Sequence, residues 1–309
     1  MNKFDIKDFK GVIPAVLTVF DKDENIDELG MRQLVSYLIG KGVDGLYLTG
    51  STGEGFTMSS EERKRVVEIV IDETKGRVPV VVHVGAVGTK LSIDLAKHAE
   101  EVGATGISSV PPFYWKFNEN QIVKYYEDIA NSCSLPMIVY NVPLVGLLGM
   151  NVIKRLAQIE NIKGIKYTAL SHYEITQIKD EIGDDFLVYS GCDEMSMSGL
   201  LAGADGIIGS FYNIMPELFI NIYNSIKENN IERAQLLQRQ AVEIIMYSLK
   251  LPSFYAGMKA VLRWRGINAG YCRRPFENLT EEAENEFKEG YIKLRDTYKI
   301  TGVEFLDEL

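Results

Sequence analysis

Short runs of β-branched and aliphatic residues alternate along the chain with longer stretches whose apolar positions recur every three or four residues. The short runs predict strands at 12–18, 45–49, 78–84, 106–110, 137–140, 164–167, 187–190 and 206–209. The longer stretches predict helices at 27–41, 59–75, 89–102, 118–131, 150–158, 172–182, 194–202 and 216–228. Ser59-Ser60-Glu61-Glu62 is a start signal with acids in the first turn. Several of the helices run into a glycine before the next strand, as at Gly42, Gly103 and Gly203. Eight strand–helix units of about 30 residues each predict a parallel (β/α)8 TIM barrel. An open doubly wound sheet would carry a G-x-G-x-x-G turn after its first strand. Here Phe20-Asp21-Lys22-Asp23-Glu24-Asn25 follows instead. Beyond residue 229 the strand signal stops, and three helices are predicted at 231–250, 254–264 and 280–298. The expected organisation is a barrel over 1–229 and a C-terminal α-helical extension over 230–309.

A barrel of this kind builds its site from the loops at the C-terminal ends of its strands. Those positions hold Thr49-Gly50-Ser51-Thr52-Gly53-Glu54-Gly55, His83, Pro111-Pro112-Phe113-Tyr114, Tyr140-Asn141-Val142-Pro143, Lys166-Tyr167-Thr168, Gly191-Cys192-Asp193-Glu194 and Gly209-Ser210-Phe211-Tyr212-Asn213. One amine, several hydroxyls and two carboxylates would face one mouth. Lys166 ends a strand of small and apolar residues, where its charge is poorly solvated, and a lysine attacks a carbonyl only when neutral. A tyrosine on the neighbouring strand end, Tyr140, can pass protons to and from a carbinolamine. The Gly50–Gly53 loop offers Ser51 and Thr52 hydroxyls and a freed backbone to a carboxylate. Together these suit Schiff-base chemistry on a 2-oxo acid. Taken singly, each has a plainer reading. Lys166 could be a solvated strand end, Tyr140 a packing residue, Gly50–Gly53 a tight turn, Asp193-Glu194 a dipole cap and His83 a hydrogen-bonded structural residue.

The charge balance narrows the partners. With 33 basic and 43 acidic residues the net charge is −10, which speaks against a nucleic-acid surface. No apolar run approaches the ~20 residues of a membrane span. The charged start, Met1–Asp8, lacks the apolar core of a signal peptide. Cys133, Cys192 and Cys272 are odd in number and far apart, and with three scattered histidines they make no metal spacing. A cytoplasmic protein needing no cofactor or metal is expected.

Three stretches jointly resemble a known group: Gly50-Ser51-Thr52-Gly53-Glu54, Tyr140-Asn141-Val142-Pro143 and Gly164-Ile165-Lys166-Tyr167-Thr168. They are similar to the N-acetylneuraminate lyase and dihydrodipicolinate synthase superfamily of class I pyruvate-dependent aldolases, and the similarity covers nearly the whole chain. The resemblance implies a Schiff base at Lys166, proton relay by Tyr140, carboxylate binding by Ser51 and Thr52, and a homotetramer in which Tyr114 of a neighbouring subunit joins the relay through Ser51. Synthases of the group carry an arginine shortly after Tyr-Asn-x-Pro, whereas Leu144-Val145-Gly146-Leu147-Leu148 follows here. Gly191-Cys192-Asp193-Glu194 and Gly209-Ser210-Phe211-Tyr212-Asn213 instead look like the sialic acid lyases. That likeness implies contacts to the sugar chain from Thr168, Gly191, Asp193, Glu194 and Ser210, with Phe254 lining the same pocket. Two positions depart from the pattern: Phe211 stands where threonine is common, and Tyr167 is bulkier than in some members. The expected reaction is cleavage of N-acetylneuraminate to N-acetylmannosamine and pyruvate. The alternatives are an aldolase or dehydratase for another 2-oxo sugar acid such as 2-keto-3-deoxygluconate, a dihydrodipicolinate synthase, or a non-catalytic 2-oxo acid binding protein.

Overall fold

A computed structural model describes residues 4–309; Met1, Asn2 and Lys3, part of the charged start, lie outside the described residues. The eight strands are β1 Gly11–Pro14, β2 Leu46–Leu48, β3 Val80–His83, β4 Gly106–Ser109, β5 Met137–Asn141, β6 Ile162–Tyr167, β7 Leu187–Ser190 and β8 Gly206–Gly209. All seven ladders are parallel and run in the order β1-β8-β7-β6-β5-β4-β3-β2. The ring closes between β1 and β2 through a parallel bridge of Ala15 with Tyr47, where the Val16 N–H donates to the Tyr47 carbonyl at 2.9 Å. This is the expected (β/α)8 barrel.

The outer helices are α1 Glu28–Gly40, α2 Ser60–Thr74, α3 Thr89–Glu101, α4 Glu119–Ala130, α5 Met150–Ala157, α6 Tyr173–Ile182, α7 Ser196–Leu201 and α8 Pro216–Lys227. Ser59 caps α2 in a capping box with Glu62, as its sequence predicts. The first strand stops four residues short of the expected 18, because beyond Pro14 the ladder with β8 gives way to side-chain bonds, with Asn213 donating to the Ala15 carbonyl at 2.7 Å and accepting from the Leu17 N–H at 3.2 Å. The second stops at Leu48, since Thr49 turns left-handed with φ 53°. The helix expected from 194 starts at Ser196 instead, after a separate 3-10 turn, Asp193–Met195.

Strand alternation sorts the side chains into two cores. Inside the barrel, Ile13, Tyr47, Val81, Ile138, Leu187, Tyr189 and Ile208 form a closed cluster, plugged from below by Ile6 and Phe9. Outside, Val12, Leu46, Val80, Ile107, Val139, Ile165 and Val188 pack against the helices. The site therefore stands on a solid floor. Past the barrel come α9 Ile231–Ser248, α10 Phe254–Trp264, α11 Glu281–Tyr298 and a short α12 Glu304–Asp307, absent from the sequence reading. Ile244, Met258, Leu262, Phe287, Tyr291 and Phe305 from these helices belong to the same buried cluster as the outer core. No helix among the described residues is long and apolar enough to cross a membrane.

Candidate active site

Lys166 lies in β6 with Tyr140 of β5 and Tyr189 of β7 as its register neighbours. All three point to the barrel interior. The Lys166 side chain is 4% exposed, and its Nζ sits 4.3 Å from the Tyr140 ring centroid and 4.9 Å from that of Tyr47. The amine is thus held between two aromatic faces, with no carboxylate in ion-pair range among the described residues. Tyr47 comes from β2, is fully buried and donates to Ser108 Oγ at 2.9 Å; burial holds its phenol well above the usual range. His83 packs edge-on to Tyr140 at 6.1 Å between centroids. The Val110 N–H donates to His83 Nε2 at 3.2 Å, so that nitrogen is unprotonated. Burial first, then the charges of Arg63 and Lys166, press the His83 pKa well below normal. It is a neutral structural histidine, the plainer of its two readings.

Around the amine opens a cleft of about 330 Å³, lined among others by Ser51, Thr52, Tyr140, Lys166, Thr168, Gly191, Cys192, Glu194, Ser210 and Tyr255. The structure therefore brings most of the sequence-predicted residues to one wall. Thr52 Oγ1 and Ser210 Oγ share a hydrogen bond of 2.6 Å across the mouth. The Thr168 hydroxyl is buried without a protein partner. A buried hydroxyl left unpaired costs stability. Gly191 is glycine for lack of space: a Cβ there would lie 1.9 Å from Thr168 Oγ1 and 3.0 Å from Lys166 Cε. A Cβ at Gly209 would likewise fall 2.0 Å from Asp193 Oδ1.

Three predicted residues stand elsewhere. Asp193 lies behind the cleft wall, 6% exposed, with Oδ2 accepting from the Phe211 N–H at 2.8 Å. Burial pushes its carboxyl up to about 7. Phe254 stacks on Phe211 at 5.9 Å, and it is the next residue, Tyr255, that reaches the cleft. Tyr114 is 85% exposed, outside the cleft, in a left-handed turn with φ 81° and edge-on to Trp115. Of the two departures from pattern, Tyr167 faces the outer core and donates to Glu174, and buried Phe211 is covered by Phe254.

Several contributors were not foreseen. Tyr47 and Tyr255 had no pattern to mark them, and Cys192 stood only as the unassigned residue of its strand-end motif. Alternation along β2 could have turned Tyr47 inward. Glu54, expected only as part of a loop motif, is fully buried and ion-paired to Lys259 of α10 at 2.6 Å. Asn141 ties down the following loop, accepting from the Leu148 N–H at 2.8 Å.

Residues 8–293 match the dihydrodipicolinate synthetase family. The chain belongs to that family. Among its relatives is the N-acetylneuraminate lyase of Clostridium perfringens (strain SM101 / Type A), 38% identical over 283 residues, which are 91% of this chain and 98% of that protein. The N-acetylneuraminate lyase of Citrobacter koseri is 40% identical over 286 residues, 91% of this chain and 96% of that one. Among solved structures, a catalytic lysine mutant of Ruminococcus gnavus sialic acid aldolase superposes with a TM-score of 0.91 at 32% identity, covering 97% of this chain and 99% of that one. The family and its barrel are thus common ground for sequence and structure.

Proposed function

We propose that this member of the family is a carbon–carbon lyase that cleaves N-acetylneuraminate to N-acetylmannosamine and pyruvate through an imine on Lys166. The observation that carries the mechanism is the Lys166 amine, buried on the Tyr140 and Tyr47 rings at the floor of the cleft. A lysine amine placed there is in reach of a carbonyl carbon entering the cleft, which is what nucleophilic attack requires. The names of the relatives support the substrate.

The linear sugar acid enters with its carboxylate toward Ser51 and Thr52. Lys166 Nζ attacks C2, water leaves, and an iminium forms. Tyr140 takes the proton from the C4 hydroxyl, a general-base step worth about 10²–10⁴-fold. The C3–C4 bond breaks, its electron pair passes into the C2–C3 enamine, and C4 leaves as the aldehyde of N-acetylmannosamine. Protonation of the enamine at C3 and addition of water to the imine release pyruvate and restore the amine. Every atom balances, with one water lost and one regained.

Thr168, Glu194 and Ser210 hold the hydroxyl chain. Gly191 makes room for it, while Asp193 acts from behind the wall by ordering the Ser210–Phe211 turn. Phe254 acts the same way, backing Phe211. Tyr114 acts from a neighbouring subunit of a homotetramer. Its exposure supports this, as does an apolar cavity of about 290 Å³ that shares Ser51, Val142, Leu144 and Tyr255 with the cleft. A cytoplasmic site of action completes the reading.

The test is pyruvate release over a panel of sialic and ketodeoxy acids. N-acetylneuraminate is expected to give the highest kcat/KM. A clear preference for 2-keto-3-deoxygluconate would overturn the substrate assignment.

A further inference from the structure

Both ends of the cleft are gripped by helices that lie outside the barrel. At the carboxylate end, Glu54 closes the Ser51–Glu54 turn in a left-handed conformation, φ 54°. Its Oε1 accepts from Lys259 Nζ at 2.6 Å and its Oε2 from the Arg273 N–H at 2.8 Å. Lys259 donates also to the Tyr271 carbonyl at 2.6 Å, and the ion pair is fully buried on both sides. The turn cannot shift without separating two desolvated charges, which is far costlier than parting an exposed pair. At the opposite end, Gln238 of α9 spans the turn that carries Glu194. Its Nε2 donates to the Asp193 carbonyl at 3.1 Å and its Oε1 accepts from the Met197 N–H at 2.8 Å.

We propose that Lys259 and Gln238 are positioning residues through which the C-terminal helices set the two halves of the substrate site. Lys259 fixes the carboxylate end by way of Glu54, and Gln238 fixes the hydroxyl-chain end by way of the Asp193–Met197 turn. The inference rests on the aldolase reading. It predicts a separation that a purely structural staple would not produce, because each contact reaches one end of the substrate only.

The experiment measures the pyruvate concentration that half-saturates borohydride trapping, alongside KM for N-acetylneuraminate and the melting midpoint. Lys259→Met alone would strand a buried carboxylate, so it is made with Glu54→Gln, which keeps an acceptor for the Arg273 N–H. Glu54→Asp, which retains the charge pair but shortens the reach, is the second variant. In both, half-saturating pyruvate is expected to rise, on the order of tenfold in the double variant and less in Glu54→Asp. Gln238→Ala is expected to raise the sugar's KM by a similar factor while moving pyruvate half-saturation less than about twofold. Folded variants with lowered melting midpoints but the parent's half-saturation and KM would overturn the proposal. So would equal effects of all three variants on pyruvate. A parent protein that traps no pyruvate would overturn the aldolase reading itself, a result seen before any variant is made.

Discussion

Replacing Gly191 by alanine tests how tightly the cleft is built around the amine. The added Cβ would lie 1.9 Å from Thr168 Oγ1 and 3.0 Å from both Thr168 Cβ and Lys166 Cε. The first distance is far inside contact, so Thr168 must turn away; the others crowd the lysine stem. Overpacking of this kind costs about 1–3 kcal/mol. If that cost falls on the reactive position of the amine, imine formation slows roughly tenfold to a hundredfold. The assay is timed borohydride quenching with pyruvate, read by intact mass. Thr168→Ala in the Gly191→Ala background removes the 1.9 Å collision and is expected to restore most of the rate, although the hydroxyl chain loses a contact. Unchanged imine formation in Gly191→Ala would refute the reasoning. So would a double variant no faster than the single one, since the obstruction would then not run through Thr168.

Other outcomes follow from the same contacts. Thr168→Val removes an unpaired buried hydroxyl, so the substrate-free protein should melt higher by the equivalent of about 1 kcal/mol while KM for the sugar acid rises; a lower midpoint would contradict this. Burial raises the Asp193 carboxyl from the ordinary 3.8 to about 7, so the folded state holds a proton that the unfolded chain has lost. Its contribution to stability is therefore full below about pH 4 and lost as pH rises through about 7. Asp193→Asn should flatten that decline relative to the parent in pH-dependent denaturation, and parallel curves would refute it. The Cys192 thiol is pushed up to about 12, by burial first and then by Glu194 and Asp193, leaving about one part in ten thousand as thiolate at pH 8. Iodoacetamide at that pH should spare Cys192 in the native protein, as peptide mapping would show.

The barrel was legible because the β-rich runs are short and alternate with helical periodicity, with a start signal at Ser59 and glycine stops at Gly42, Gly103 and Gly203. Lys166 and Tyr140 were legible because strand ends of a barrel share one face, so two residues 26 positions apart in sequence become register neighbours. What escaped the sequence was contact at long range. Glu54 and Lys259 are separated by 205 positions, and no local pattern says that a lysine on the α10 helix is buried against a turn in the second loop. Gln238 is equally silent, a polar residue on an amphipathic helix until α9 docks beside the Asp193–Met195 turn. The displacement of Asp193 behind the wall has a local cause. Residues 193–195 form a 3-10 turn rather than the first turn of a helix, which sends the Asp193 carboxylate over Gly209 and leaves Glu194 at the cleft. Alternation along β6 already placed Tyr167 opposite to Lys166. The concern over its bulk is met by a pleat that turns the ring into the outer core.

The account stands on Lys166 as the group that forms the imine. The most direct measurement is reduction of the native protein with borohydride in the presence of pyruvate, followed by peptide mapping. The expected result is a single reduced-pyruvate adduct on Lys166, absent from Lys166→Ala. An adduct on another lysine, or one that survives Lys166→Ala, would contradict it.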